Sequence, residues 1–341
     1  MISIQIANFA RQFSFTVFFT AWAAFASPAT AEEMKETDPT DAIAYFSKLF
    51  EQYPDQSIAE SMVGLLNTNL DAGAYSNLST REELAKALTA DVRSIRRDFH
   101  LGVQYSATSP TEDAAHNLDK PEVIDALRKE NFGFNEVRIL EGNVGFMHIS
   151  ALNDISVAGE TARYALGFLK NADALIIDIR GNLGGEPNMV RLLESVLFEE
   201  PTLMNTIYYT DGRKDSEEEI WTDPTLTEID TLWNAPVFIL TSYLVASGAE
   251  DLAYSLQAQG RAMIVGAKTL GAAHPGASQY HEDLQLNFNM PHGYVVNPIT
   301  DDDWEGVGVL PDVEASSEEA FKTSLNLAWE ALNYTPAKTK K

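Results

Sequence analysis

Apolar residues in the first third of the chain recur at helical spacing. Ile43, Phe46, Phe50 and Tyr53 fall on one face, and so do Ile58, Met62, Leu65 and Leu66. Thr80 and Glu83 stand in capping-box positions before a third helix, whose apolar face runs through Leu84, Leu88, Val92, Ile95 and Phe99. The pattern predicts a small helical subdomain over residues 40–99, then an extended segment over 100–105. A polar, proline-containing loop covers 109–118. Pro121 suits the first turn of a short helix reaching Leu127.

Further on, short apolar runs alternate with amphipathic stretches. Residues 137–140 and 144–149 flank Gly142-Asn143 and predict a hairpin. Residues 156–169 predict a helix with Val157, Thr161, Tyr164, Ala165 and Phe168 on one side. Residues 174–179 form a buried-strand run that ends in a Gly-rich turn, and 188–198 read as helix. A hairpin starts over 207–212. Residues 236–240 are a second buried-strand run. A helix beginning at Asp251 is stopped by Gly260, and 262–266 form another strand. Residues 284–290 are expected to pair with 294–296 across Pro291-His292-Gly293, and a closing helix spans 317–332. Such alternation of strands and helices argues for an α/β core.

The first residues are not part of this fold. Arg11, an apolar stretch over 13–25 and a small-residue site ending at Ala31 form a secretory signal peptide. The stretch falls short of the ~20 residues needed to span a bilayer, so no stable membrane insertion is expected. The chain then divides into a signal peptide (1–31), an N-terminal helical subdomain and linker (32–132), an α/β core (133–334) and a polar tail (335–341). Cleavage near Ala31 implies an exported protein, periplasmic or extracellular.

Charge and composition narrow the function. Fifty acidic against 24 basic residues give a net charge of −26, which disfavours nucleic acid and anionic membranes as partners. The absence of cysteine excludes disulfides, a thiol nucleophile and thiolate metal sites. With no His-x-x-x-His pair, the run Asp301-Asp302-Asp303 reads as a solvated turn, and neither metal nor cofactor is expected.

Three segments carry candidate chemistry. Ser247 lies between a strand and a helix. There it is either an N-cap with Glu250 at N3, or a nucleophile whose oxyanion the helix N-terminus stabilises. Asp178-Ile-Arg180-Gly-Asn182-Leu-Gly184-Gly185 leaves a strand. Its paired glycines let backbone N–H groups face a ligand, or simply make a turn. It lacks the Gly-Lys-Ser/Thr ending of a P-loop. Glu305, in Trp304-Glu305-Gly306-Val307-Gly308, is by itself a turn carboxylate.

Taken in order, these segments resemble the S41 serine peptidases, the group of tail-specific proteases, the tricorn core and interphotoreceptor-retinoid-binding-protein-like proteins. The resemblance covers roughly residues 80–316 and implies a core of the ClpP/crotonase-like type with β-hairpins. Processing peptidases of the family pair the serine with a lysine in a Thr-Phe-Gly-Lys-Gly motif. Here the stretch is Thr269-Leu270-Gly271-Ala272-Ala273-His274, with Ala272 in the lysine position, so a Ser-Lys dyad is not expected. The segment between His100 and Val144 is also too short for the family's PDZ domain. The tricorn-like branch uses histidine and glutamate instead. His100 and Glu305 match those positions, whereas Phe99 stands where that branch carries an orienting serine.

The resemblance implies an exported serine peptidase acting on peptides or proteins. Ser247 is then the nucleophile, His100 the base and Glu305 its partner. The oxyanion is held by Gly248 with Gly184 or Gly185. Histidine's ordinary pKa near ~6.5 suits it to take and return a proton. Of the other five, His274 is the alternative base. His116 reads as a solvated loop residue, His281 and His292 as solvated residues near hairpin ends, and His148 as a packing residue in a strand. A non-catalytic module binding hydrophobic ligands or peptides, and an esterase, are the alternatives on the same scaffold.

Overall fold

The computed structural model describes residues 39–109, 118, 120–211, 216–226 and 232–336. The expected signal peptide, His116 and the end of the polar tail lie outside these residues. Helices α1 (Pro39–Leu49), α2 (Gln56–Asp71) and α3 (Arg81–Ile95) open the fold. Asp55 caps α2 by accepting the Ser57 and Ile58 N–H groups, and Thr80 and Glu83 complete a capping box on α3. Each such cap is worth about 1 kcal/mol. The third helix ends earlier than its apolar stripe suggests, because Arg96 turns extended. Phe99 instead lies against the guanidinium groups of Arg97 and Arg93. Strand β1 (Gly102–Tyr105) follows, and then α4 (Pro121–Lys129).

The core contains β2 (Phe134–Leu140), β3 (Val144–Ile149), α5 (Ile155–Leu169), β4 (Ala174–Asp178) and α6 (Pro187–Ser195). It continues with β5 (Leu203–Tyr209), β6 (Glu217–Trp221), β7 (Val237–Thr241), α7 (Gly248–Ala258) and β8 (Met263–Gly266). The C-terminal part holds β9 (Gly276–His281), β10 (Leu286–Pro291), β11 (Gly293–Val296), β12 (Val313–Glu314) and α8 (Ala320–Ala331). Six strands form one sheet in the order β12-β8-β7-β4-β3-β2, parallel except for β2, which runs antiparallel to β3. Strand alternation sends Leu175, Ile177 and Ile239 into the core shared with α5, α6 and α7. It sends Ala174, Ile176, Phe238 and Leu240 towards α8. Burial on both faces explains the unbroken apolar runs of β4 and β7.

Three expectations are corrected here. Helix α5 buries Ala158, Gly159, Ala162, Ala165, Leu166 and Leu169, while Tyr164 (70% exposed) and Phe168 (58% exposed) face outward. Small residues let the helix lie close on the sheet, and that contact outweighs the larger apolar area of the aromatic side. Strands β10 and β11 do not pair with each other. Instead β10 lies between β1 and β9, and β11 pairs with β5. The chain crosses between the two small sheets at His292, which is buried and stacked on Tyr209 rather than solvated. Leu284, Leu286, Phe288 and Met290 thereby join Phe46, Met62 and Leu88 in a single core, so segments far apart in sequence hold the segment around His100.

Candidate active site

Ser247 sits one residue before α7, with φ 53° and ψ −128°. A positive φ in a residue with a side chain costs ~1–3 kcal/mol and persists only where the surroundings impose it. The hydroxyl makes no cap hydrogen bond. The Glu250 N–H bonds the Ser247 carbonyl at 2.8 Å, and Ser247 Oγ lies 3.2 Å from His100 Nε2. Glu250 does act at the helix start, since its carboxylate accepts the Ser247 N–H at 2.9 Å. It also accepts the Thr269 hydroxyl, the Gly271 N–H at 2.6 Å and the Ala272 N–H at 2.8 Å. Burial raises its pKa, and these donors pull the other way. One buried carboxylate thus ties the serine loop to residues 269–272.

His100 lies in the extended link between α3 and β1. Its N–H donates to Asp98 Oδ1 at 3.0 Å. Arg93 brackets it by donating to the carbonyls of Phe99 (2.9 Å) and Leu101 (2.8 Å). Burial pushes the imidazole pKa down. Asp98 opposes this, while His274 and Arg93 reinforce it. The ring is therefore neutral at pH 7. With the proton on Nδ1, Nε2 presents a lone pair to the serine hydroxyl. Nδ1 itself is buried and has no hydrogen-bond partner.

Glu305 is buried beside this ring. Its Oε2 accepts the Ala273 N–H at 2.7 Å and the His274 N–H at 3.0 Å, and its Oε1 has no partner. One oxygen each from Glu305 and Asp98 and a ring nitrogen of His100 lie within 4.8 Å of one another. Burial, with the Asp98 charge behind it, pushes the Glu305 carboxyl up to about 7. These three side chains are also the described set that could hold a metal ion, but both Asp98 oxygens are already engaged.

His274, the alternative base, points elsewhere. Its Nδ1 lies 2.8 Å from Asp98 Oδ2 and 3.8 Å from Glu305 Oε2, and it makes no hydrogen bond to Ser247. The Tyr53 hydroxyl donates to Asp98 Oδ2 at 3.1 Å. Sequence reasoning missed Asp98 and Tyr53 as site residues. The available signals were an acid two positions before His100 and a tyrosine on an otherwise apolar stripe.

The Gly-rich turn closes the site. Asp178 pairs with Arg180 at 2.5 Å, and Arg180 reaches the Ser317 carbonyl. Asn182 donates to the Ile149 carbonyl at 3.0 Å, and its own carbonyl accepts the Ala246 N–H at 3.1 Å. At Gly184 a Cβ would fall 2.8 Å from Ser247 Cβ and from Gly248 N, so only glycine fits. The Gly184 N–H is committed to Asn182 Oδ1 at 2.8 Å, which removes it as an oxyanion donor. The Gly185 and Gly248 N–H groups make no such commitment among the described residues, and the two backbones approach closely. Ser247 and the Gly-rich turn lie beyond the carboxyl ends of parallel strands β7 and β4, where open α/β sheets place their ligands.

The profile described as peptidase family S41 matches residues 143–315, and that of the N-terminal domain of Peptidase S41 in eukaryotic IRBP matches residues 40–134. Among solved structures, a candidate peptidase from Parabacteroides merdae ATCC 43184 is 16% identical, with a TM-score of 0.60 over 86% of this chain and 97% of that one. A candidate S41 protease from Bacteroides fragilis NCTC 9343 is 18% identical, with a TM-score of 0.51 over 58% of each chain. The tricorn protease is 13% identical, with a TM-score of 0.54 over 87% of this chain and 37% of that one. At these identities the likeness is one of fold. The chain spans little more than half of the Bacteroides protein and about a third of tricorn.

Proposed function

Because the chain belongs to peptidase family S41, we propose that it is an exported serine peptidase that cleaves peptide bonds through Ser247 and His100. The observation that carries this reading is the 3.2 Å contact between Ser247 Oγ and His100 Nε2, made by a serine that is backbone-strained. A serine hydroxyl is a poor nucleophile until a base within hydrogen-bond reach takes its proton. Here His100 Nε2 accepts the proton as Oγ bonds to the scissile carbonyl carbon. The resulting oxyanion is held by the Gly248 and Gly185 N–H groups. As the intermediate collapses, His100 returns the proton to the departing amine and Ser247 keeps the acyl group. Water then repeats the sequence: His100 takes its proton, hydroxide attacks the ester, and the serine leaves reprotonated.

Glu305 stabilises the imidazolium formed at each step. The support is that His100 Nδ1 and Glu305 Oε1 are both buried, both unpartnered and part of the same cluster. A Ser-Lys dyad is not part of this reading, since buried Ala272 occupies the lysine position. Export rests on the signal-peptide pattern of residues 1–31; among the described residues no helix is long and apolar enough to cross a membrane. The test is mass spectrometry after a fluorophosphonate probe. Wild type is expected to carry the adduct on Ser247, and His100→Ala to lose it. An unlabelled, well-folded wild type would overturn the proposal.

A further inference from the structure

Four ionisable side chains meet beside Ser247, and the chemistry above uses two of them, His100 and Glu305. Asp98 and His274 remain, both buried and joined at 2.8 Å. Asp98 is 0% exposed yet fully engaged: Oδ1 holds the His100 main chain, while Oδ2 meets the His274 ring and the Tyr53 hydroxyl. The His274 main chain is in turn held by Glu305, and its ring stands edge-on to Tyr53 at 6.3 Å. The linked groups come from the α1–α2 connection, the α3–β1 link, the loop after β8 and the turn before β12.

We infer that Asp98 and His274 are a positioning pair for the base, in which Asp98 grips the His100 backbone and His274 fixes the rotamer and charge of Asp98. This rests on His100 being the base of Ser247. The physical need is plain. Asp98 and Glu305 are two carboxyls in one dry pocket, and without a cation between them one would take up a proton and loosen its grip. A protonated His274, 2.8 Å from Asp98 Oδ2, supplies that cation. Burial alone would lower its pKa, but the Asp98 hydrogen bond and the charges of Glu305, Asp98 and Asp303 raise it. Burial would raise Asp98, and the His274 hydrogen bond and charge, together with the His100 charge and N–H, outweigh it. Asp98 thereby orients the histidine segment, a task that Phe99, packed under Arg97, has no polar group to perform.

Asp98, Glu305, His274 and Arg93 face His100, so losing the His274 cation must move its midpoint: upward through the lost repulsion, or downward where Asp98 takes up a proton. The experiment compares wild type, His274→Phe and His274→Asn by two readouts. One is the fluorophosphonate labelling rate of Ser247 against pH. The other is the His100 ring titration, followed by NMR with labelled histidine. His274→Phe is expected to lose ~10- to 100-fold in plateau labelling. His274→Asn keeps a donor near the Nδ1 position and recovers part of that loss. Both variants should shift the His100 midpoint by ~0.5 unit or more. Wild-type plateau and midpoint in His274→Phe would overturn the pair. Absence of labelling in wild type removes the peptidase reading, and the NMR midpoint then decides the pair alone. Should His274→Phe fail to melt cooperatively, an unmoved midpoint in His274→Asn overturns it.

Discussion

Replacing Ser247 by glycine should give a more stable protein than replacing it by alanine. Both variants lose the hydroxyl and its 3.2 Å contact with His100, so that loss cancels in the comparison. What differs is the backbone. At φ 53° and ψ −128° alanine keeps the strain of ~1–3 kcal/mol, and glycine relieves it. Against this, glycine loses about 0.5–1 kcal/mol through the freer unfolded chain, and a further ~0.5 kcal/mol for one half-buried methyl. The balance favours Ser247→Gly by about 1 kcal/mol, or roughly 2–4 °C in Tm for a core of this size. Urea and thermal melts of the two inactive variants measure it directly. An alanine variant as stable as the glycine variant, or more so, would refute the idea that strain is stored at the serine.

Two further outcomes follow from other parts of the molecule. Asp251 is half-buried at the start of α7, and desolvation pushes its pKa up to about 6 despite hydrogen bonds from Ser255 and Asn205. Its folded pKa thus exceeds the unfolded value of about 3.9, so its contribution is full below pH ~4 and is lost as pH rises through 6. Neighbouring Glu194 is raised by burial and by Asp251, and acts with the same sign. Stability measured by urea unfolding should fall from about pH 4 to 7, and Asp251→Asn should recover about 2–3 kcal/mol at pH 8. An unchanged pH slope in that variant would exclude Asp251 as the cause. Gly185→Ala would place a Cβ 2.1 Å from the Leu152 carbonyl at a φ of 140°. It should cost at least ~2 kcal/mol and depress Ser247 labelling, readable from melts and from the probe; a neutral substitution would mean that the turn is free to move.

The helices and central strands were legible because their signals are local. The capping box at Thr80 and Glu83, the buried runs of β4 and β7 and the hairpin of β2 and β3 all appear where periodicity and turn residues put them. Elements whose partners are distant were misread. The segment around residues 284–296 looked like a hairpin, but β10 finds its partner in β1, far earlier in the chain. Helix α5 was turned the wrong way, since hydropathy weighs Tyr164 and Phe168 above the alanines that the sheet requires.

By itself the sequence determined the type of most elements and the motifs around Ser247, His100 and Glu305, because helix and strand periods and caps are written within a few turns of chain. Tertiary structure alone decided what those residues touch. It brought Ser247 Oγ to His100, engaged the Gly184 N–H, and drew His274 to Asp98 instead of the serine. Such contacts join residues up to 176 positions apart. They depend on how sheets and loops pack, and that information lies in no single stretch of sequence.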